Sequence, residues 1–291
     1  MDTEQISSTD EHLDALPTSE LLGRLIDGNS QAVEAVAEAL PQLEAAATLI
    51  SSRLMKGGRL VYIGAGTSGR LAVQDAAELK PTFGFDRTLV LMAGGAEAGS
   101  RALEGAEDDA AEAERQVEAA GIGPDDAVIG IAASGRTPYT IAGVRRAREL
   151  GAGTVGVANN PGTPLLSAAE LPVLVATGAE VLAGSTRLAA GTAQKIVLNS
   201  LSTTVLIQAG GAWGNLMVGM QPSNAKLRER AVLIVARGAS VDDQTAAQAL
   251  AAADWDMRVA IVMLRAATGR EQARAALAAA GNSVRLALEA L

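Results

Sequence analysis

The chain has no cysteine, a single histidine, and only two residues each of Phe, Tyr and Trp among its 291. Without cysteine there is no disulfide, no thiolate nucleophile and no cysteine metal site. The one histidine, His12, sits in a polar N-terminal segment that reads as a flexible arm, which argues against a Ser-His-Asp triad or a histidine-rich zinc site. Any enzymatic proton transfer would then fall to carboxylates, lysines or the two tyrosines. Basic residues are outnumbered, 24 Lys and Arg against 33 Asp and Glu, for a formal charge of −9. That balance gives no positive footprint for nucleic acid, so no nucleic-acid partner is expected. Nor does it oppose a small anion, which loops and helix ends can bind locally. No uninterrupted apolar run approaches bilayer length, and Met1 to His12 carries four acidic residues and no Lys or Arg. A secretory signal and a membrane partner are therefore not expected, and the chain reads as cytoplasmic.

What is present is rich in small aliphatic residues, which suit close helix-on-sheet packing. Val33, Val36, Leu40, Leu43, Ile50 and Leu54 mark one helical face between about Gln31 and Lys56, with Pro41 starting a second helix or kinking the first. Five β-rich runs follow at Arg59–Ile63, Thr88–Met92, Ala127–Ala132, Gly153–Ala158 and Pro172–Ala176. Helical patterns lie between most of them, at Arg70–Glu78, Glu97–Ala119 and Thr137–Leu150, and another spans Thr192–Gln208. Nearly all-apolar strands alternating with helices predict a doubly wound five-stranded parallel sheet with flanking helices. From Asn224 the strands stop. Helices over Ala225–Arg237, Asp242–Ala253, Asp256–Thr268 and Glu271–Ala280, with Ser240 as an N-cap, predict a small C-terminal helical subdomain. The division is drawn at residues 1–235 and 236–291.

Three loops are suited to a phosphate. The first strand runs into Gly64-Ala65-Gly66-Thr67-Ser68-Gly69, whose glycine-rich turn at a helix start offers backbone N–H groups to an anion. The same letters fit a dinucleotide fingerprint, but that reading needs an acidic residue at the end of the second strand. Ala93-Gly94-Gly95 stands there, and Asp86 precedes the strand. The third strand repeats the design with Ser134-Gly135-Arg136-Thr137-Pro138, and Glu180 to Thr186 forms a third loop. Ser68, Ser134 and Thr137 would meet in one crevice at the carboxyl ends of the strands. Each loop taken alone also reads as an ordinary cap or tight turn.

These loops, with Asp75-Ala76-Ala77-Glu78, Glu104-Gly105-Ala106-Glu107, Gly184-Ser185-Thr186-Arg187-Leu188, Gly191-Thr192-Ala193-Gln194-Lys195 and Asn215-Leu216-Met217-Val218, carry a resemblance. In order and over nearly the whole chain, they resemble the sugar isomerase (SIS) domain and, within it, the N-acetylmuramic acid 6-phosphate etherases. The resemblance implies a phosphorylated amino sugar as partner, no cofactor, no metal and a homodimer. It implies an ether-cleaving elimination and rehydration that uses Glu78 and Glu107, with Glu107 favoured as base and Glu78 as acid. It also implies substrate binding by Gly66, Thr67, Ser68, Ser134, Gly135, Thr137, Glu180, Ser185 and Thr186. By local sequence alone either glutamate would be a solvated surface residue. A phosphosugar sensor and an aldose-ketose isomerase on the same domain are the competing readings. Departures from the family pattern are Ile6-Ser7 for Arg-Asn, Ala179 for Pro, Ala183 for Thr, Ala189 for Lys, and Gly219-Met220-Gln221 for a Met between an acidic and a basic residue. Loss of a lysine removes a cation that could bind phosphate or carboxylate.

Overall fold

The computed structural model describes residues 2–6, 12–101 and 103–291. Half of the expected flexible arm up to His12, namely Met1 and residues 7–11 with Ser7 among them, lies outside the described residues, as does Ala102. The chain forms two compact units: residues up to Ala76 with Arg87–Ser202, and Ala77–Asp86 with Thr203–Leu291.

The first unit opens with α1 (Thr18–Glu38) and α2 (Leu40–Met55). The break between them comes at Pro41, which occupies the first turn of α2, where its missing N–H costs no helical hydrogen bond. The sheet strands are β1 (Leu60–Gly64), β2 (Thr88–Met92), β3 (Ala127–Ile131), β4 (Gly153–Ala158) and β5 (Leu171–Leu174). They lie in the order β2-β1-β3-β4-β5, and every neighbouring pair is parallel. The doubly wound parallel sheet is thus present, with each of the five expected strands within about two residues of its place. β1, β3 and β4 are buried along their whole length, which is why they read as unbroken apolar runs.

Its connecting helices are α3 (Gly66–Phe83), α4 (Ala110–Ala119), α5 (Pro138–Glu149), the short α6 (Pro164–Ala168) and α7 (Ala189–Leu206). Glu97–Ala119 is not one helix, as the sequence pattern suggested. Two 3-10 turns, Ala96–Gly99 and Ala106–Asp108, precede α4. Gly105 takes a left-handed conformation (φ 76°) that stops helical propagation, and Asp109 restarts it by accepting the Glu112 N–H at 2.9 Å.

The second unit contains a two-residue hairpin, β6 (Ala212–Trp213) with β7 (Leu216–Met217), absent from the sequence reading. It continues through α8 (Ala225–Ala239), α9 (Asp243–Ala252), α10 (Met257–Ala266), α11 (Arg270–Ala279) and α12 (Val284–Glu289). Val218, Met220, Val235, Leu250, Met257, Ile261 and Val284 are buried together in its core. A division at 235/236 would fall inside α8, whose Ile234 and Val235 belong to that core. Ser240 is not an N-cap: it closes α8 in the left-handed region (φ 60°), and Asp242 caps α9 by accepting the Thr245 N–H at 2.8 Å.

One ion pair ties the amino end of β1 to β3. Arg59 donates through Nε and a terminal nitrogen to Asp126 at 3.0 and 2.7 Å, and Asp126 also accepts the Arg59 and Gly123 backbone N–H groups, both at 3.0 Å. Burial alone would raise the Asp126 pKa, but the Arg59 hydrogen bonds and charge overcome it and hold the carboxyl below its ordinary 3.8. A depressed carboxylate stabilises the fold above its unfolded pKa and loses that contribution as pH falls through the folded value. Asp126→Asn should therefore lower stability near neutral pH by about 2–3 kcal/mol. Denaturant unfolding of both proteins at about pH 7 and about pH 3 should show the gap between them narrowing at the lower pH; an unchanged gap would refute the assignment.

Candidate functional site

In the order β2-β1-β3-β4-β5 the chain reverses direction across the sheet between β1 and β3, so their carboxyl ends flank a natural crevice. Gly64 at the end of β1 is paired with Ile131 at the end of β3, which places the first two hydroxyl loops side by side. The three glycines of the first loop have separate tasks. A Cβ on Gly64 would lie 3.1 Å from the Gly69 backbone, and one on Gly69 would lie 3.0 Å from the Gly64 carbonyl oxygen. Both glycines let α3 start against the strand. Gly66 instead has a positive φ of 54° and open space beside it.

Beneath these loops runs a buried polar chain. Ser68 Oγ donates to Gln194 Oε1 on α7 at 2.8 Å, and Gln194 Nε2 donates to Asn159 Oδ1 at 2.9 Å. Asn159 Nδ2 then reaches the Val175 carbonyl at 2.9 Å. Asn159 also gives its backbone N–H to Ala133, the residue before Ser134. The second loop is shaped by a close approach: a Cβ on Gly135 (φ 64°) would lie 2.2 Å from Thr163 Oγ1. Ser134 Oγ accepts the Arg136 N–H at 3.1 Å. Thr137 heads α5 but makes no capping hydrogen bond with its side chain, so its half-buried hydroxyl is not spent as an ordinary cap.

In the third loop, Ser185 and Thr186 are half-buried, and the Thr186 carbonyl accepts the Gly191 N–H at 2.9 Å. A Cβ on Gly191 would lie 3.3 Å from that carbonyl oxygen and 3.5 Å from Thr67 Cγ2, so Thr67 and Thr186 meet at this residue. Glu180 differs from the expectation of direct substrate contact. It is 1% exposed, and its two carboxylate oxygens accept the Ala189 and Ala190 N–H groups, each at 2.9 Å. A carboxylate satisfying two N–H groups at the start of α7 shapes the loop from below. Ala189, where the resemblance leads one to expect lysine, is buried in that same first turn, and Ala183 is exposed.

The tyrosines leave the list of proton carriers. Tyr62 and Tyr139 are both fully buried. Tyr62 donates to Asp75 Oδ2 at 2.6 Å, and Tyr139 donates to Gln116 Oε1 at 2.6 Å. Burial pushes both phenols above their ordinary range, helped by the charge of Asp75 in one case and Glu112 in the other. Asp75 is itself buried and accepts further hydrogen bonds from Asn199 at 2.6 Å and Ser202 at 3.1 Å. The predicted acid and base are both solvent-exposed. Glu107 lies on the 3-10 turn that follows Gly105 in the sheet unit, and Glu78 lies in the last third of α3, in the part of that helix grouped with the helical unit.

Sequence reasoning named the hydroxyl loops but not Asn159 or Asn160, and gave Gln194 only as part of a resembling segment, without its part in supporting them. Asn159-Asn160 directly follow β4, and polar residues just past the carboxyl end of a parallel strand are a usable signal. Among the described residues no cluster of three or more acidic or histidine side chains could hold a metal ion.

A parallel sheet in this order, with hydroxyl loops at its reversal point, defines an SIS-type α/β domain. Residues 108–203 match the SIS domain model, and residues 42–147 match that of the glucokinase regulatory protein N-terminal SIS domain. A phosphoheptose isomerase from Francisella tularensis shares the fold, with a TM-score of 0.52 at 19% identity, covering 66% of this chain and 100% of that one. Over its full length the chain is more specific. It is 48% identical to an N-acetylmuramic acid 6-phosphate etherase of Deinococcus radiodurans, covering 98% of this chain and 94% of the relative. It is 44% identical to one of Mycolicibacterium smegmatis, covering 100% and 98%. The chain belongs to the N-acetylmuramic acid 6-phosphate etherase family.

Ser68→Ala should strand the buried Gln194 Oε1 and cost about 1–3 kcal/mol of stability. Thermal or denaturant unfolding measures this, and a variant as stable as the parent would show that the Ser68–Gln194 bond contributes nothing.

Proposed function

We infer that this chain is an etherase that cleaves the D-lactyl ether of N-acetylmuramic acid 6-phosphate, giving N-acetylglucosamine 6-phosphate and D-lactate. The observation that carries this is the 48% identity to a named etherase along 98% of the chain. The phosphate takes the crevice between β1 and β3, where Gly66, Thr67 and Ser68 offer backbone N–H groups and Thr67, Ser134 and Thr137 offer hydroxyls, while Gly135, whose N–H goes to the Ala132 carbonyl, shapes the second loop. Ser185 and Thr186 flank it, with Glu180 holding their loop in shape.

In the ring-opened sugar the aldehyde at carbon 1 acidifies the proton on carbon 2. Glu107 as base removes that proton. The electron pair forms the carbon 2–carbon 3 double bond as the carbon 3–oxygen bond breaks, and Glu78 as acid protonates the departing lactate oxygen. Water then adds its oxygen to carbon 3 and a proton returns to carbon 2, so the step needs a paired base and acid and no redox partner. Exposed carboxylates can exchange protons with water between the two halves of this sequence.

Two further assignments belong to this reading. The chain acts in the cytoplasm: no helix among the described residues is long and apolar enough to cross a membrane, and the substrate class is that of cell-wall amino-sugar recycling. It also pairs as a homodimer. Leu22, Ile26 and Val33 on α1 are more than half exposed, and no residue of α1 before Ala32 is buried, a pattern that a second copy would cover. The match to a regulatory-protein domain keeps a non-catalytic phosphosugar sensor as a second reading.

Incubation with N-acetylmuramic acid 6-phosphate should release D-lactate. Glu78→Gln and Glu107→Gln should each lower kcat by about 10²–10⁴ while KM stays within about threefold. A folded protein that binds the sugar phosphate but releases no lactate would be a sensor.

A further inference from the structure

The N-terminal turn Asp2–Glu4 is held more firmly than a surface arm would be. Thr3 is 0% exposed. Its backbone N–H donates to Asn160 Oδ1 at 3.2 Å, and Asn160 Nδ2 donates back to Thr3 Oγ1 at 2.9 Å. The same Nδ2 donates to the Ala133 carbonyl at 2.9 Å, immediately before Ser134. Asn160, itself 1% exposed, follows the carboxyl end of β4. The next residue, Glu4, places Oε2 3.0 Å from where a Cβ on Gly184 would stand (φ 72°). This turn therefore reaches two of the three hydroxyl loops, a chain distance of 157 residues from Asn160.

We propose that Thr3 and Glu4 complete the sugar-binding site, with Glu4 as a specificity-determining acceptor for a hydroxyl or amide N–H of the sugar and Thr3 as the positioning residue that fixes it. The proposal rests on the phosphosugar reading above. Charge decides which part of the ligand Glu4 meets: a carboxylate beside Gly184 repels a phosphate dianion, so the phosphate takes the N–H-rich crevice of β1 and β3. The neutral part of the ligand is left for the Gly184 side. An ionised carboxylate only accepts hydrogen bonds, so its partner must be a donor, and a sugar hydroxyl or acetamido N–H supplies one. Gly184 keeps that space open, since a side chain there would stand against the carboxylate. The two-way bond between Thr3 and Asn160 fixes the register of the turn, and with it the position of Glu4.

Calorimetric titration of the full chain with N-acetylglucosamine 6-phosphate and, separately, with inorganic phosphate tests this. Glu4→Ala should weaken sugar-phosphate binding about tenfold or more, and Glu4→Gln, which keeps one acceptor oxygen, should recover part of the loss. Thr3→Val, similar in shape but without the hydroxyl, should move sugar-phosphate affinity in the same direction. Affinity for inorganic phosphate should stay within about twofold in all three. Parent-like sugar-phosphate affinity in Glu4→Ala would overturn the proposal, as would an equal loss for inorganic phosphate, which would mean that the whole crevice had been disturbed. D-lactate release by the parent reports on the etherase reading alone, so the two can fail separately. A parent that binds no sugar phosphate overturns both.

Discussion

The close approach of β1 to the first turn of α3 is the constraint on which the rest depends. Gly64 and Gly69 face each other so closely that a Cβ on either would stand 3.0–3.1 Å from the other's backbone, tighter than ordinary contact. Adding a methyl group at either position would force the strand and helix apart, and overpacking of that kind in a tight layer typically costs 1–3 kcal/mol. The effect would not stay local. Ser68 lies between these glycines in the turn, and its hydroxyl begins the buried chain through Gln194 and Asn159 to Val175. One glycine contact thus sets the loop after β1, the inner face of α7 and the chain end of β4. Asp75, further along α3, fixes the same helix a second time through Tyr62, Asn199 and Ser202.

Buried polar groups of this kind stabilise only when every partner is present, so they specify one arrangement rather than simply adding to it. That is why the supporting residues are asparagine, glutamine and an uncharged tyrosine instead of ion pairs. Raising the Tyr62 pKa by burial beside Asp75 keeps the phenol a donor. Deprotonation there would put two negative charges side by side in a dry layer. The two glutamates proposed as base and acid, Glu107 and Glu78, lie outside this dry layer and are both exposed.

How much of this was legible in the sequence depends on the range over which each signal acts. The strands were readable because β1, β3 and β4 are covered on both faces, so burial imposes apolar residues at every position. The pairing of the first two loops was readable from glycines and hydroxyls after the first and third strands. α1 begins at Thr18, earlier than expected: Leu21, Leu22, Leu25 and Ile26 do recur at helical spacing, but Leu21 and Leu25 are only half-buried and Leu22 and Ile26 are exposed. Gly105 broke an expected helix by its conformation, which composition does not reveal. Asn160 and Gln194 act across long sequence separations, and nothing in their neighbours announces the partner. Glu180 looked like a ligand residue because a carboxylate near a glycine-serine loop is ambiguous until its hydrogen bonds are known.

Those hydrogen bonds also bear on where the proposed phosphate can sit in a chain of net charge −9. A helix start attracts an anion only while its N–H groups are free. At α7 they are taken by Glu180, and at α4 Asp109 takes one. Each is an internal carboxylate standing where an external anion would otherwise go. At α5 the capping position is held by Thr137, whose side chain makes no such bond, and α3 begins at Gly66 with open space beside it. Internal carboxylates thus occupy the starts of α7 and α4, and the proposed phosphate lies instead at α3 and α5, which flank the reversal point of the sheet.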